Sequence, residues 1–356
     1  MAVFKNMLKD TESIFRDEIA LDYEYLPKIL PYREKEQRHI VMCIKPLLQR
    51  RNGRNIFVYG PPGIGKTAAT RHILRELEQE TEDVVPVYIN CWKKNTSYKI
   101  AYEICEILGC RFLQHKKTNE LFKIAKDNLN KKSVVFVFDE VDKLEEFDFL
   151  YFILEDIHRK SIILITNYRS WFVGLDERIK SRLTAETLEF KQYNAEETRG
   201  ILNHRLGYAF HKDVWNDDAF NLATEKTVEL RDIRAGLYIL KEAGLIAEER
   251  ASRKVTLAHV RLAIAKLEDF SVKKSTDLEE EQRKILQLIK ENNKIKIGDL
   301  YRIYQEHGGV VSYKTFQRKI KKLHDSKFIS VVKTEGGDEG NTSIIKFAGV
   351  KKLTDF

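Results

Sequence analysis

Residues 56–67 read IFVYGPPGIGKT. A short apolar run leads into Gly60, four further residues and the triplet Gly65, Lys66 and Thr67, which is the P-loop pattern. Glycines let the backbone wrap closely around phosphate groups and turn its N–H groups toward them. The helix expected to follow directs its positive end at the same charge. A complete motif between a strand and a helix predicts a phosphate-binding loop rather than a chance glycine turn.

The P-loop pattern assigns separate tasks to its residues. Lys66 is expected to reach the β- and γ-phosphates of a nucleoside triphosphate, and the Thr67 hydroxyl to bind Mg²⁺. The sequence therefore predicts ATP or ADP, with Mg²⁺, as ligands. The predicted nucleotide-contacting stretch is Gly60, Pro61, Pro62, Gly63, Ile64, Gly65, Lys66, Thr67 and Ala68.

A pair of carboxylates follows the P-loop at the end of another apolar run. Val134–Phe138 leads directly into Asp139 and Glu140. A buried strand can hold Asp139 at its tip beside the metal, and Glu140 can then activate the attacking water as a general base. Two solvated acids are the plain alternative, but their position after a P-loop favours the catalytic interpretation.

The alternation of apolar runs and helical patterns predicts an α/β base. Expected strands are Ile56–Tyr59, Val84–Ile89, Val134–Phe138, Ser161–Thr166 and Leu188–Phe190. Strands that alternate with helices favour a parallel sheet covered on both faces. After about Lys191 the strand signals stop, and residues 195–210, 217–224, 230–249 and 256–268 have helical spacing. The polar stretch Val272–Asp277 is predicted to be a linker.

The C-terminal part has the element order of a winged helix. Three helical patterns, Leu278–Glu291, Ile297–Glu306 and Ser312–Asp325, precede two β-rich runs, Phe328–Thr334 and Ser343–Phe347. The glycine-rich residues between the two runs indicate a hairpin with a longer loop. The predicted domains are therefore an arm and base over 1–190, a helical lid over 191–271 and a winged helix over 277–356.

The third helix of this predicted winged helix is amphipathic. Phe316, Ile320 and Leu323 form an apolar stripe. Long cations on the opposite face can meet phosphates and guanine edges in a major groove. The alternative, a solvated basic face on a protein-binding winged helix, stays open. The predicted DNA contacts are Lys314, Thr315, Gln317, Arg318, Lys321 and Lys322, with Lys333 in the wing.

Composition adds weaker indications. The 356-residue chain suits two or three domains, and its net charge of +8 favours an anionic partner such as nucleic acid. Its 4 cysteines show no CxxC pair or obvious zinc spacing, which predicts reduced thiols. No signal-peptide core and no apolar run near the roughly 20 residues that span a bilayer is visible. We expect a cytoplasmic, nucleoid-associated protein, or a nuclear one if the source is eukaryotic, with no membrane partner.

Further polar residues fit a nucleotide switch. Asn167 follows an apolar strand and can touch the γ-phosphate or the water. Arg178 and Arg182 are four residues apart on one helical face, and one of them can enter a neighbour's site as an arginine finger. Arg234 can reach the γ-phosphate from the helical domain. Solvated helix arginines are the alternative, with Arg234 then paired with Asp232 or Glu229.

The order of these motifs resembles AAA+ replication initiators. More specifically, it resembles the archaeal initiator family related to origin recognition complex subunit one and cell division control protein six. The arm Leu26–Glu34 and the stretch from Tyr193 to Arg205 also resemble that family. The resemblance implies an AAA+ P-loop parallel-sheet base, a small helical lid and a C-terminal winged-helix domain. It also implies an adenine held between the arm and the lid, near Tyr193 and Ile201.

The resemblance further implies roles for single residues. Asn167 matches sensor one, Arg234 matches sensor two, and Arg182 matches the usual finger position, with Arg178 the weaker candidate. Arg231 stands where the family usually has glycine. The insertion near Leu113–Asn119, which contacts DNA in the family, lacks its usual glycine. Its predicted phosphate contacts are Lys116 and Lys117.

The function implied by the resemblance is ATP-dependent initiation of DNA replication. Such a protein binds double-stranded origin DNA, helps recruit a replicative helicase, works beside paralogous subunits and hydrolyses ATP slowly as a switch. Two alternatives remain open from the residues. One is a winged-helix transcription regulator with a nucleotide-sensing AAA+ domain, and the other is a different AAA+ loader such as a clamp loader.

Overall fold

A computed structural model gives the fold over residues 13–276, 280–292, 294–325, 328–334 and 342–347. The contacts within the chain divide it into two compact units. One unit spans Tyr23–His204, and the other joins the N-terminal residues up to Asp22 with Arg205 onward. The predicted division into base, lid and winged helix at 190, 271 and 277 stays a prediction.

The unit Tyr23–His204 is built on a parallel sheet of five strands in the order β2-β3-β4-β1-β5. All five predicted strands are present, each within two residues of its expected bounds. The α/β base predicted from the alternating pattern is therefore confirmed. The strands are β1 Ile56–Tyr59, β2 Val84–Asn90, β3 Ser133–Asp139, β4 Lys160–Thr166 and β5 Glu186–Glu189.

Helices cover both faces of this sheet. The side chains of β3 alternate, so that Val135 and Val137 face α1 and α2, whereas Phe136 and Phe138 face α3, α4 and α5. Every residue of β3 is buried, which explains why the strand is a continuous apolar run. The helices are α1 Glu34–Leu48, α2 Lys66–Glu80, α3 Ser97–Ile107, α4 Thr118–Leu129, α5 Asp148–Asp156, α6 Arg169–Val173 and α7 Glu177–Leu183.

In the second unit, three helices pack against one another. They are α9 Asp217–Leu230, α10 Ile233–Glu249 and α11 Leu257–Thr276, and the preceding helix, α8 Ala195–Ala209, spans the boundary between the units. The N-terminal segment packs on α10, where Ser13 donates a hydrogen bond to Glu248 at 2.6 Å. Gly244 makes this approach possible, because a Cβ there would lie 2.4 Å from the ring of Phe15.

The predicted linker Val272–Asp277 is wrong over most of its length, because α11 continues through Thr276. The stretch is polar but contains neither glycine nor proline, so nothing in it ends a helix. Polarity alone therefore placed the boundary too early. None of the helices in the described ranges is long and apolar enough to cross a membrane.

The C-terminal elements form the predicted winged helix. Helices α12 Glu280–Glu291, α13 Ile297–Glu306 and α14 Tyr313–Asp325 pack with strands β6 Ile295–Lys296, β7 Ile329–Thr334 and β8 Thr342–Phe347. The sheet order is β6-β8-β7, with antiparallel pairing throughout. Strand β6 was not predicted, because two residues are too few to show a periodic pattern. The expected hairpin is present, and its loop lies outside the described residues.

Candidate nucleotide-binding site

The P-loop lies between β1 and α2, as its sequence predicts. Gly60, Gly63 and Gly65 have φ values of 151°, 75° and 87°, which side chains disfavour. A Cβ on Gly60 would lie 2.3 Å from the carbonyl oxygen of Phe190. The loop can therefore approach the residues after β5 only because position 60 has no side chain.

Lys66 and Asn167 are brought together at the carboxyl ends of neighbouring strands. The Lys66 ammonium donates a hydrogen bond of 2.8 Å to Oδ1 of Asn167. It also donates to the carbonyl oxygens of Gly60 and Pro61 at 2.7 and 2.8 Å. Since Lys66 is 6% exposed, these oxygens replace most of its hydration. Lys66 and Asn167, both predicted to contact the γ-phosphate, thus lie in direct contact with each other.

Thr67 and Asp139 also meet, as a shared magnesium site requires. The Thr67 hydroxyl donates to Oδ2 of Asp139 at 2.6 Å, and the Tyr88 hydroxyl donates to the same oxygen at 2.9 Å. Burial raises the pKa of the Asp139 carboxyl, although these hydrogen bonds and the N–H of Glu140 oppose the shift. A carboxylate beside a hydroxyl is the hard oxygen pair that Mg²⁺ takes together with water and phosphate oxygens.

Tyr88 is a site residue that the sequence analysis missed. It lies in β2, and its hydroxyl reaches Asp139 across the β2–β3 pair. Burial, followed by the Asp139 charge, raises the pKa of the Tyr88 hydroxyl, which keeps it protonated as a donor. The only signal in the sequence is a tyrosine in an otherwise apolar run, which is too common to indicate a role.

Glu140 follows β3 in a left-handed conformation. Its φ of 58° and ψ of 45° are unusual for a residue with a side chain. The backbone therefore turns sharply after Asp139, and the Glu140 side chain is half-buried. Backbone strain of this kind costs about 1–3 kcal/mol and is found mostly at functional sites.

Arg33, in the predicted arm, is the second residue that the sequence analysis left without a role. It is buried, and its Nε donates to the carbonyl of Ile64 at 3.1 Å and to the Tyr193 hydroxyl at 2.9 Å. Its Nη2 donates to the carbonyl of Lys191 at 2.6 Å. The guanidinium carbon lies 3.9 Å from the centroid of the Tyr193 ring. Arg33 therefore joins the arm, the P-loop and the chain leaving β5.

Of the two predicted adenine neighbours, Tyr193 adjoins the P-loop. A Cβ on Gly65 would lie 3.0 Å from the Tyr193 hydroxyl. Burial raises the pKa of Tyr193 to about 12, so this hydroxyl stays neutral beside Arg33. Ile201 is buried in α8, and its contact with adenine stays a prediction.

The two candidate finger arginines differ in their surroundings. Both lie in α7. Arg178 is 84% exposed, with Nε 3.7 Å from Asp176. Arg182 is paired with Glu155, and its guanidinium lies 5.0 Å from the centroid of the Tyr151 ring. Arg178 is thus exposed, whereas Arg182 is held by its own chain. The role of either residue as an arginine finger stays a prediction.

Arg234 lies in the first turn of α10, in the second unit. Its Nε is 3.6 Å from Oδ1 of Asp232, the residue that caps this helix. This is the pairing that the sequence analysis gave as the alternative to a phosphate contact. The preceding Arg231 has a φ of 56°, at the end of α9. The helix α9 thus ends in the left-handed conformation that glycine provides most readily.

The predicted DNA face of α14 lies on the surface. Phe316, Ile320 and Leu323 are buried in the winged-helix core, as the apolar stripe requires. Thr315 is half-buried, and its N–H donates to Oγ of Ser312, just before the helix, at 3.4 Å. The exposed residues of the predicted set are Lys314, Gln317, Arg318, Lys321 and Lys322.

The other predicted DNA contacts lie apart from α14. Lys333 belongs to β7, and its side chain lies outside the described residues. Lys116 is half-buried and Lys117 is exposed, in the loop before α4. The N–H of Lys117 donates to Glu120 at 2.8 Å, so this residue begins the helix.

Comparisons with known proteins agree with this geometry. The family described as an AAA domain matches residues 49–169, and the Cdc6 AAA+ ATPase-type lid domain matches residues 199–265. ORC1-type DNA replication protein 1 of Sulfurisphaera tokodaii is 35% identical over 72% of this chain and 67% of its own length. The protein of the same description from Archaeoglobus fulgidus is 30% identical over 91% of this chain and 84% of its own length.

A solved structure extends the similarity to the whole fold. The structure of the Aeropyrum pernix ORC1 protein in complex with DNA has a TM-score of 0.74 and 28% identity, and the alignment covers 98% of this chain and 96% of that one. The fold and the site define an AAA+ nucleotide-binding protein with a Cdc6-type lid and a winged helix. More particularly, the chain belongs to the archaeal ORC1-type DNA replication proteins.

Proposed function

We propose that this chain binds double-stranded origin DNA and starts replication under the control of its bound nucleotide. The observation that carries the proposal is a preassembled nucleotide site in the same chain as a winged helix whose third helix exposes a basic face. The ORC1 protein of Aeropyrum pernix, solved in complex with DNA, supports the DNA part. If the chain binds DNA in this way, it is located at the nucleoid.

The nucleotide chemistry is proposed to rest on the residues already gathered at the strand ends. Lys66 and Asn167 would hold the γ-phosphate, and Thr67 and Asp139 would hold Mg²⁺, whose bound charge offsets that of the phosphates. The left-handed turn at Glu140 would aim its carboxylate as the general base that takes a proton from the attacking water. Tyr88 and Arg33 would act as positioning residues, the first through Asp139 and the second through the P-loop backbone.

Hydrolysis is proposed to be slow and switch-like. Arg182 is paired with Glu155, and Arg178 is exposed to solvent. In this proposal the finger of one subunit enters the nucleotide site of a neighbour, so it acts only when two subunits dock. An arginine supplied in trans contributes about 10³–10⁵ in turnover, and a lone subunit lacks it. Arg234, the sensor-two candidate, would exchange its contact with Asp232 for one with the γ-phosphate. The ATP and ADP states would then differ in their fit to DNA or to the helicase.

DNA binding is proposed to use α14 as the reading helix. The side chains of Lys314, Arg318 and Lys321 are exposed and long enough to meet phosphates and base edges. Lys117 would add a phosphate contact from the base domain. Paralogous initiator subunits and a replicative helicase are the proposed protein partners.

A genome-wide map of the protein on DNA in its own cells tests this function. Binding confined to the points where replication begins is the expected result, and it would also supply the recognised sequence. A matched chain with Arg318→Ala and Lys321→Ala should lose these peaks, whereas Lys45→Ala, an exposed lysine of α1, should keep them. Peaks at promoters and not at replication starts would contradict the initiator function and support a transcription regulator.

A further inference from the structure

Three metal-ligating side chains meet outside the nucleotide site. His39 and Cys43 are four residues apart on α1, so they share one face of that helix, and Glu186 is the first residue of β5. Nε2 of His39 lies 3.0 Å from Oε2 of Glu186, and Sγ of Cys43 lies 3.8 Å from the same oxygen. All three ligand atoms lie within 4.8 Å of one another.

These separations fit a small tetrahedral ion. Zinc binds nitrogen and oxygen at about 2.0–2.2 Å and thiolate sulfur at about 2.3 Å, which places ligand atoms roughly 3.3–3.7 Å apart. The distances of 3.0 and 3.8 Å lie on either side of this range. The third separation, from His39 to Cys43, is at most 4.8 Å, so side-chain rotations that draw these two ligands together would bring all three atoms to bonding distance of one ion.

A further contact orients the carboxylate. Nη1 of Arg54 donates to Oε1 of Glu186 at 2.6 Å, which leaves Oε2 directed at His39 and Cys43. Ligating carboxylates are commonly held by such a hydrogen bond from an outer residue. The Cys43 residue is buried, whereas the side chains of His39 and Glu186 are 39% and 34% exposed. An ion can thus enter from solvent and keep a water as its fourth ligand.

We propose that His39, Cys43 and Glu186 bind one divalent transition-metal ion of the zinc type. A set of imidazole, thiolate and carboxylate suits zinc or cobalt, whereas Mg²⁺ and Ca²⁺ prefer oxygen ligands alone. The ordinary alternative is a His39–Glu186 ion pair beside a packed cysteine. The proposal does not depend on the proposed function, because none of these residues binds nucleotide or DNA in it.

The ion would join two elements that lead into the nucleotide site. Helix α1 starts immediately after Arg33, and β5 is followed by Lys191 and Tyr193, both of which contact Arg33. A metal between α1 and β5 would hold these elements together and preserve the Arg33 contacts. We therefore expect metal loading to raise the melting temperature and to strengthen ATP binding modestly.

Cobalt titration of the full chain, free of nucleotide and Mg²⁺, tests the site. The expected result is one Co²⁺ per chain with a thiolate-to-cobalt charge-transfer band, which Zn²⁺ then displaces. His39→Gln and Cys43→Ser should each weaken binding by at least about 100-fold, as loss of a ligand exceeds the roughly 10–100-fold cost of losing an outer partner. Cys110→Ser, a half-buried cysteine outside the cluster, is the matched control.

Two further results decide between this site and the alternatives. Asp139→Asn should leave the thiolate-to-cobalt band unchanged, because Asp139 lies in the nucleotide site, where Co²⁺ would have oxygen ligands and give no such band. The proposal is overturned if the folded chain shows no thiolate band, or if Cys43→Ser and His39→Gln, with unchanged circular dichroism, bind the metal as well as Cys110→Ser does.

Discussion

The nucleotide site and the proposed DNA face of α14 are built in opposite ways. At the first, Lys66, Asp139 and Arg33 are buried, and each is held by several hydrogen bonds. At the second, Arg318 and Lys321 stand exposed on a helix whose other face supplies the packing. A buried network fails when one member is lost, because its partners are left unsatisfied, whereas exposed cations act nearly independently. Substitutions that remove a hydrogen-bonding partner should therefore have large, coupled effects in the base, whereas substitutions on α14 should have small, additive ones.

The largest effect is expected for Gly60→Ala. The added methyl group would collide with the backbone oxygen of Phe190, which cannot move away as a flexible side chain can. We expect a loss of about 4 kcal/mol or more in the free energy of unfolding, together with loss of ATP binding. Chemical denaturation and a nucleotide-binding assay measure both.

Gly207→Ala is the control for this substitution, since nothing lies within 4 Å of the added Cβ. As a helical position it should gain up to about 1 kcal/mol in stability. Equal stability of the two variants would show that the close approach at Gly60 is not a constraint.

Glu140→Gln should separate binding from chemistry. The amide keeps the size of the side chain but cannot accept the proton, so turnover should fall by roughly 10²–10⁴-fold while ATP affinity is retained. Single-turnover hydrolysis measures the rate, and Glu78→Gln, an exposed glutamate of α2, is the matched control. Unchanged turnover in Glu140→Gln would exclude this residue as the base.

Asp139→Asn should stabilise the nucleotide-free protein. Burial raises the pKa of the folded-state carboxyl above that of the unfolded chain, so folding favours its protonated form. The carboxyl of Asp139 therefore stabilises the fold at pH values below its pKa in the unfolded chain. This stabilisation is lost as the pH rises through its pKa in the folded chain. At neutral pH the nucleotide-free variant should therefore melt at a higher temperature than the unsubstituted chain.

The pH dependence checks the sign of this prediction. The difference in melting temperature between Asp139→Asn and the unsubstituted chain should shrink as the pH falls toward the ordinary range of a carboxyl. Mg²⁺-ATP should stabilise the unsubstituted chain more than the variant. A variant that melts lower at every pH would mean that the hydrogen bonds from Thr67 and Tyr88 outweigh the cost of burial.

The smallest effect is expected for a single cation of α14. If Lys321 meets one phosphate, Lys321→Ala should weaken binding evenly across DNA sequences and make the slope of log affinity against log salt shallower by about 0.9. For roughly six contacts the unsubstituted slope is near −5. Lys45→Ala should leave the slope unchanged. A nearly flat salt dependence of the unsubstituted chain would exclude the proposed DNA face.

The difference between the two regions also explains what the sequence could predict. Local patterns predicted the five strands of the base, the P-loop and the apolar stripe of α14, because each depends on neighbours in the chain. Tyr88 and Arg33 escaped prediction, since their roles come from partners such as Asp139 and Lys191 that are remote in sequence. Helix α5 was also missed, as a nine-residue segment gives little periodicity.

Long-range contacts also explain why the sequence did not predict the cluster of metal-ligating residues, and local composition explains the misplaced linker. The cluster of His39, Cys43 and Glu186 joins residues 147 positions apart, so the spacing of the cysteines gave no indication of it. The linker was misplaced because polar residues are as compatible with an exposed helix as with a coil. Predictions from sequence were thus reliable where packing follows a local period and failed where long-range contacts decide.

The strand order of the base has a consequence for synthesis of the chain. The interior strand β1 ends at Tyr59, and its partners are β4, which begins at Lys160, and β5. At roughly 5–20 residues per second, a ribosome takes about 5–20 s to make the intervening residues. During that time an apolar strand has emerged without a neighbour to pair with. The nascent chain therefore passes through a period in which its own sheet cannot yet cover this strand.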